Sequence, residues 1–533
     1  MSDGLKAHHR AAIIATLAAN HRVEKAVLFG SRAMGANTIT SDVDIALFGR
    51  QLTLTDQAKL AAACEELPMA QSVDLVLYST IDNPALVDHI RSHGVEWYRR
   101  GGGSGSEEVI GAYGAWQVVR LEQLASNEPG SIAIGPFGSR MKSSVYTPFG
   151  VPVIRGTNIS ASRAWKNSWV YVSNDFADSL PNCNAHEGDL VFPHRGSIGE
   201  VAIVPNDKPK YMISTSLMKF RPDPEKVSAL FLFYYFRSSS GRNEIMKYSS
   251  QVGTPGIGQP LTSLRQFSVV VPPREEQKAI AHILGTLDDK IELNRQMNET
   301  LEAMAKTLFK SWFVDFDPVR AKAEGRSTGL SDEISALFPD SFEDSELGEI
   351  PRGWGVKRLE EYLELAYGKS LPAKSRRPGP VPVYGSGGVV GSHDVALTKG
   401  PTVIVGRKGT VGSLYLEAKP AFPIDTVFHI LPRIGSMLFC YHLLACQPLS
   451  DMNTDAAVPG LNRGNVYRLK FPCPTSDLIS AFDDMVGSLW KRQVANLGES
   501  AALAQVRDLL LPRLIGGGLR LFSKLDTSKM EVV

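Results

Sequence analysis

The sequence predicts an α+β multidomain chain: an N-terminal α/β domain, then two strand-rich modules, each closed by a long helix that packs on the other. Three observations carry that expectation. Stepping by four and three residues from Ile280 picks out Leu284, Leu287, Ile291, Asn294, Asn298, Leu301, Ala305, Leu308 and Trp312. Eight of these ten positions are apolar, and a sustained 3.5-residue period is that of a coiled-coil seam. A weaker copy lies 202 residues downstream, from Phe482 through Val486, Leu489, Gln493, Asn496, Ser500, Leu503, Arg507 and Leu510 to Leu514. Finally, landmarks preceding the first helix recur in order before the second, which marks an internal duplication.

The first helix follows Pro272 and Pro273, which stop the preceding segment and suit a helix start. At a 1.5 Å rise it would run roughly 48 Å. In both copies the polar residues cluster mid-seam. Asn294, facing a stretch with Asn496 and Ser500, reads as a register lock, because one buried polar pair can fix alignment at some cost in stability.

At 533 residues the chain is too long for one core, so three or four domains are expected. No apolar run approaches the length of a membrane span and no signal peptide opens the chain, so membrane and secreted readings are poor. The five cysteines (64, 183, 440, 446 and 473) are scattered and never spaced C-x-x-C. They fit a reducing cytoplasm and indicate neither zinc nor a disulfide framework. The net charge of +1 hides an alternation: −1 over 1–100, +5 over 116–273, −8 over 274–349, +7 over 350–474 and zero over 475–533. Two basic modules on helical spacers suggest two contacts on one polyanion.

Residues 5–19 read as an amphipathic helix and Val23–Phe29 as a strand running into Gly30, Ser31 and Arg32. The stretch Thr40–Phe48 alternates, which puts Asp42 and Asp44 on one strand face. A helix near 55–67 leads to a third strand, Val73–Tyr78, carrying Asp74. Two carboxylates two apart on a strand can hold Mg²⁺ together with substrate phosphates. A third can complete a second metal position or take the proton of an attacking hydroxyl. Gly30 and Ser31 at a strand-to-helix turn offer N–H groups and a hydroxyl to phosphates.

This block, with G-S-R followed by S-D-x-D and then a strand Asp, resembles the minimal nucleotidyltransferase domains of the polymerase-β-like superfamily. The resemblance covers nearly all of residues 1–100. It implies an α/β fold, triphosphate binding by Gly30, Ser31 and Arg32, metal binding by Asp42, Asp44 and Asp74, and Mg²⁺ with a nucleoside triphosphate as cofactors. Met34 stands where the superfamily often has a second arginine. Relatives of this size often act as antitoxins that modify a partner toxin.

Gly101–Ser106 has the composition of a flexible linker, natural or introduced. Beyond it, Trp116–Glu122 is echoed by Trp354–Glu360, and Val151–Ile154 by Val381–Tyr384. Arg195–Gly199 is echoed by Lys408–Gly412, and Thr254–Ile257 by Val458–Leu461. Richness in Val, Ile, aromatic residues, Gly and Pro reads as short strands with a few helices, such as 228–238.

This twofold repeat of basic module and long helix resembles the specificity subunit of type I restriction-modification systems, over about residues 112–520. The most telling pieces are Trp116–Leu121, Gly135–Ser139, Arg195–Gly199, Pro272–Gln277 and Val458–Arg463. The resemblance implies two target recognition domains, each reading half of a bipartite site in double-stranded DNA, with the helices paired as an antiparallel coiled coil. It also implies docking of two methyltransferase subunits and a restriction-translocase subunit, with S-adenosylmethionine and ATP used on those partners and no cofactor on the specificity part.

The expected divisions are 1–100 (nucleotidyltransferase-like), 101–111 (linker), 112–273 (first recognition domain) and 274–325 (long spacer helix). An acidic connector (326–349), a second recognition domain (350–474), a second long helix (475–520) and a tail (521–533) follow. Lys and Arg supply affinity through phosphates while a few side chains reach base edges. The candidates in Gly-rich basic loops are Arg140, Lys142, Arg195, Arg376, Arg377, Arg407, Lys408 and Arg463.

Two motifs are decoys. Phe137–Arg140 repeats Phe29–Arg32 but lacks a following D-x-D, so it reads as a turn. Gly368-Lys369-Ser370 lacks the earlier glycine of a phosphate-binding loop, since position 363 is Leu. No adenine-methyltransferase or helicase-type motif is found, so methylation, cleavage and translocation fall to other chains. The competing expectation is a nucleotidyltransferase, antitoxin-like or nucleotidylating a protein or nucleic acid, delivered to its target by a DNA- or protein-binding repeat.

Overall fold

Val43, Ile45 and Leu47 alternate with Asp44, Ala46 and Phe48, and this alternation organises the N-terminal domain. In the computed structural model the strands are β1 (Lys25–Phe29), β2 (Val43–Phe48), β3 (Val73–Leu77) and β4 (Val95–Arg99), in the order β3-β2-β1-β4. β2 runs parallel to β3 and antiparallel to β1. One face buries Val43, Ile45 and Leu47 against Ile13 and Leu17 of α1 (Ala7–Ala19) and Leu60 of α3 (Leu54–Glu65). The other face carries Val27, Phe29 and Ala46 under Ile90 of α4 (Pro84–His93). The short helix α2 (Gly30–Ala33) follows β1 directly.

The structure describes residues 5, 7–34, 41–49, 52–65, 67, 72–81, 83–99, 116–137, 140–160, 163, 165, 169–250, 256–452, 460–519 and 521. The Gly/Ser stretch 101–106, the rest of the expected linker to 111, residues 254–255 and 458–459 of the echoed landmarks, and nearly all of the tail lie outside these. The chain divides into two compact units, Met1–Leu284 with Leu510–Val533, and Gly285–Leu509.

In the first unit, the described residues from Trp116 onward form two larger sheets and two two-stranded ones. A four-stranded sheet has the order Ala202–Ile203, Leu190–Pro193, Leu217–Phe220, Ile132–Ile134. A five-stranded sheet is centred on Val151–Ile154, which pairs parallel with Tyr211–Ile213. Strand Gln117–Arg120 pairs antiparallel with Ser268–Val271, so the module begins and ends side by side just before the long helix. Trp116 is buried there and its Nε1 donates to Glu276 Oε2 at 2.8 Å.

The second unit repeats this plan. Its four-stranded sheet has the order Leu414–Glu417, Thr402–Gly406, Val427–Pro432, Leu363–Tyr367. Val381–Gly385 pairs parallel with Phe422–Pro423, and Gly355–Arg358 pairs antiparallel with Lys470–Cys473. The match extends to single bonds: Ile257 N donates to His194 O at 2.9 Å, and Leu461 N to Arg407 O at 2.8 Å. Isolated bridges join Arg195 to Gly256 and Lys408 to Gly460. The echoed landmarks are the same places in two copies of one fold.

The long helices are Arg274–Phe313 and Ser476–Ile515. Within the second unit, contacts between them run in opposite directions along the sequence: Asp288 meets Arg507, Asn294 meets Ser500, Asn298 meets Asn496 and Glu302 meets Gln493. The pair is antiparallel. In the first unit Ile280, Ala281 and Leu284 share a core with Leu514 and Ile515. The expectation of helix to residue 325 is corrected: the first helix stops at Phe313. Phe316 then adopts a left-handed conformation (φ 56°) before a separate helix, Asp317–Ala323. Burial of Phe313 and Phe316 against Trp354 makes that corner. The expected acidic connector contains helix Asp332–Ala336 and the hairpin Phe342–Ser345/Gly348–Pro351.

Candidate functional sites

On the α4 side of the N-terminal sheet, Asp44 sits in register with Phe29 of β1 and Asp74 of β3. The chain turns from β1 into α2 at Gly30, whose φ is +72° and where a Cβ would lie 2.3 Å from Asp44 Oδ2. Glycine alone lets the turn approach the carboxylate this closely. Burial, then the charges of Asp74 and Asp42, push the Asp44 carboxyl above its usual range, with Arg32 and His89 opposing. That crowding of negative charge is of the kind a bound cation would relieve.

Two observations bear on the expected site. Among the described residues, no group of three or more His, Cys, Asp or Glu side chains is arranged to hold a metal ion. The three carboxylates share a face without being drawn into one closed ligand set, and the Ser72 hydroxyl donates to Asp42 Oδ1. Arg32, expected on the triphosphate, is 1% exposed. Its Nε donates to the carbonyls of Ser41 and Asp42 at 3.0 Å each, and Nη2 to Ser41 O at 2.6 Å. It therefore positions the entry to β2, and with it Asp42. Ser31 follows Gly30 at the start of α2 and is half-buried.

His89 of α4 escaped the sequence reading. The Gly30 N–H donates to its Nε2 at 3.3 Å, and His93 stacks on it with ring centroids 5.1 Å apart. The signal available was the His89/His93 spacing on a helix following the Asp74 strand.

The basic candidates separate by what holds them. Arg140, Lys142, Arg195 and Lys408 are exposed. Arg377 pairs with Asp394 at 2.7 Å, and Arg376 Nη1 donates to Val390 O at 2.6 Å. Arg407 and Arg463 converge on one exposed aromatic ring, with their Cζ atoms 5.4 Å and 4.9 Å from the Tyr367 centroid. In the first module, Arg195 instead lines a cavity of about 430 Å³ with Ile134, His194, Thr215 and Gln259.

An N-terminal carboxylate-bearing α/β domain followed by a duplicated basic module on antiparallel helices defines a composite class, and comparison with known proteins agrees. Residues 115–303 match the family model for the type I restriction modification DNA specificity domain, and residues 11–101 that for polymerase beta nucleotidyltransferases. The chain is a homologue of type I restriction-modification specificity subunits, with a nucleotidyltransferase-like domain at its N-terminus. It is 29% identical over 407 residues to the HindI specificity subunit of Haemophilus influenzae, covering 62% of this chain and 86% of that one. To the MjaIX specificity subunit of Methanocaldococcus jannaschii it is 26% identical over 361 residues, covering 63% and 78%. The N-terminal domain is 36% identical over 77 residues to a protein of that archaeon provisionally named a protein adenylyltransferase, covering 14% of this chain and 81% of that one. Among the described residues no helix is long and apolar enough to cross a membrane.

Proposed function

We propose that the two modules each read one half of a bipartite site in double-stranded DNA, and that the paired helices set the gap between the halves. The carrying observation is the repeat itself: two basic modules of one topology, each closed by one of two antiparallel helices. A rigid spacer turns module separation into a count of base pairs, while Lys and Arg supply salt-dependent affinity. Methyltransferase subunits, two copies, dock on the helices, whose outer faces expose Leu293, Met304 and Leu497. A restriction-translocase subunit completes the complex; S-adenosylmethionine and ATP are used on those partners, in the cytoplasm. Methylome sequencing of cells carrying this chain with its methyltransferase tests the reading. A split motif with a fixed gap is expected; a contiguous motif, or none, sinks it.

The carboxylate face supports a second activity on the same chain, nucleotidyl transfer from a nucleoside triphosphate to an acceptor hydroxyl with release of pyrophosphate. Asp42 and Asp44, with Asp74, would hold Mg²⁺, which supplies charge neutralisation on the phosphates. The Ser31 hydroxyl, and the Gly30 N–H once it exchanges its bond to His89 for a phosphate oxygen, bind the triphosphate, and Asp74, exposed on β3, takes the acceptor's proton. The observation favouring it is the packing of Asp44 against the Gly30 turn. Incorporation of label from Mg²⁺-ATP into a co-purified partner is expected, and its loss in Asp42→Asn/Asp44→Asn. Absence of incorporation into any partner removes this activity and leaves the DNA reading intact.

A further inference from the structure

Because the two modules share one fold, corresponding positions can be compared atom by atom. Ile134 pairs with Met218 in the first module, and Tyr367 pairs with Phe428 at the same place in the second. Gly135 N donates to Leu217 O, and Gly368 N to Val427 O. His194 Nε2 lies 3.0 Å from Thr215 O; Arg407, its counterpart, donates from Nη2 to Asp425 O at 2.6 Å and from Nε at 3.2 Å. The backbone frame is one and the same, and the side chains on it differ.

In the first module that frame borders an open cavity beside the buried His194. In the second, an aromatic ring and two guanidiniums occupy it. Tyr367 is 52% exposed and leans on Phe428, 5.0 Å away. Arg407 lies over Tyr367 and Phe428, and Arg463 over Tyr367 and Tyr467. Tyr467 is itself fixed, because its hydroxyl accepts from Leu365 N at 2.9 Å. Stacking on an aromatic face removes the rotamer freedom that usually makes an exposed arginine a poor reader.

The donor geometry selects the target. Asp425 O takes the Nε and Nη2 side of Arg407, which leaves the end-on Nη1/Nη2 edge as a parallel pair of donors. Arg463 makes one long bond, from Nη1 to Leu365 O at 3.5 Å. Parallel donors with no acceptor between them match the O6 and N7 acceptors of guanine in the major groove. Adenine, which presents a donor beside N7, does not match.

Resting on the DNA-reading function above, we propose that Arg407 and Arg463, held on Tyr367, are specificity residues of the second module and read guanine in its half-site. The first module, with His194 at the position of Arg407, makes no such contact there.

The experiment uses the full chain with its methyltransferase subunits. In methylomes, Arg407→Gln and Arg463→Gln should each relax a guanine position in one half-site and leave the other half-site unchanged. On the unsubstituted complex, each guanine of the site is replaced in turn by 7-deazaguanine, which keeps O6 and lacks N7. A loss of about 10- to 100-fold in binding is expected at one or two guanines of a single half-site. An unchanged motif in active arginine variants overturns the inference, and so does full-strength binding to every 7-deazaguanine duplex; the second arm decides if the variants do not assemble. A chain that directs no split motif at all fails the DNA reading instead.

Discussion

Asn496 Nδ2 donates to Asn298 Oδ1 at 2.8 Å, inside the interface of the two long helices. Asn298 and Ser500 occupy equivalent places in the two repeats, as do Asn294 and Asn496. The contact of Asn294 Nδ2 with Ser500 Oγ at 3.3 Å is therefore the repeat-related partner of the Asn298–Asn496 bond. The polar layer lies astride the local twofold of the helix pair. Asn294 also donates to Glu499 Oε2 at 2.9 Å, yet its buried Oδ1 has no partner.

That asymmetry predicts opposite signs for two leucine substitutions. Asn294→Leu removes an unsatisfied buried oxygen, and Glu499 keeps Lys290 at 3.3 Å. The pair should gain roughly 1 kcal/mol while its register loosens. Asn298→Leu strands the Asn496 amide and should cost about 1–3 kcal/mol. Thermal unfolding gives the signs, and cysteine cross-linking across the helices reads the register. A destabilised, uniquely aligned Asn294→Leu chain would refute the lock.

Removing one heptad around Asn294 shortens the first helix by about 10 Å, roughly three base pairs of duplex. The gap of the methylated motif should change, or assembly should fail. An unchanged recognised sequence counts against the helices as a ruler.

Arg32 is buried and bonded to the carbonyls of Ser41 and Asp42. Arg32→Ala removes those three hydrogen bonds and a buried side chain and should destabilise the N-terminal domain by about 2–4 kcal/mol. Hydrogen exchange of β2 in the full chain reports it, and unaltered protection would show that the guanidinium is dispensable.

Asp44 is expected to trade stability for function. Its carboxyl is held above the usual range by burial and by Asp74 and Asp42, so the folded chain binds more protons than the unfolded one between the two values. Stability of this domain therefore falls as pH rises through that window. Asp44→Asn should raise its unfolding midpoint at neutral pH and flatten the dependence while abolishing transfer. A lowered midpoint would contradict the account.

His442 carries the opposite dependence in the second unit. It is buried, stacked on Phe309 at 5.9 Å and edge-on to Phe482 at 5.8 Å. Burial pulls its pKa from 6.5 to about 4, with Glu302 opposing and Lys306 adding. The unfolded chain gains the proton first, so stability is lost as pH falls from about 6.5 toward 4, by about 3 kcal/mol at most. In urea titrations at several pH values, His442→Phe should lose that sensitivity; a variant as acid-sensitive as the parent would exclude His442 as its source.

The sequence by itself determined the repeat and the carboxylate pattern, because both are local. A 3.5-residue apolar period, a two-residue strand alternation and a Gly turn each follow from backbone geometry within a few residues. Tertiary structure decided what those residues face. Arg32 belongs to a G-S-R motif, but burial turned it inward onto backbone carbonyls. His89 reached the Gly30 turn from a helix 59 positions away. The first helix ends at Phe313 and not near 325: Pro318 cannot continue it and starts a new helix, and Phe316 turns left-handed against Trp354. Arg407 and Arg463 were two of eight equivalent basic candidates until the fold set both on Tyr367. Contacts between side chains far apart in the chain depend on packing, and the fold of the whole module is what brings them together.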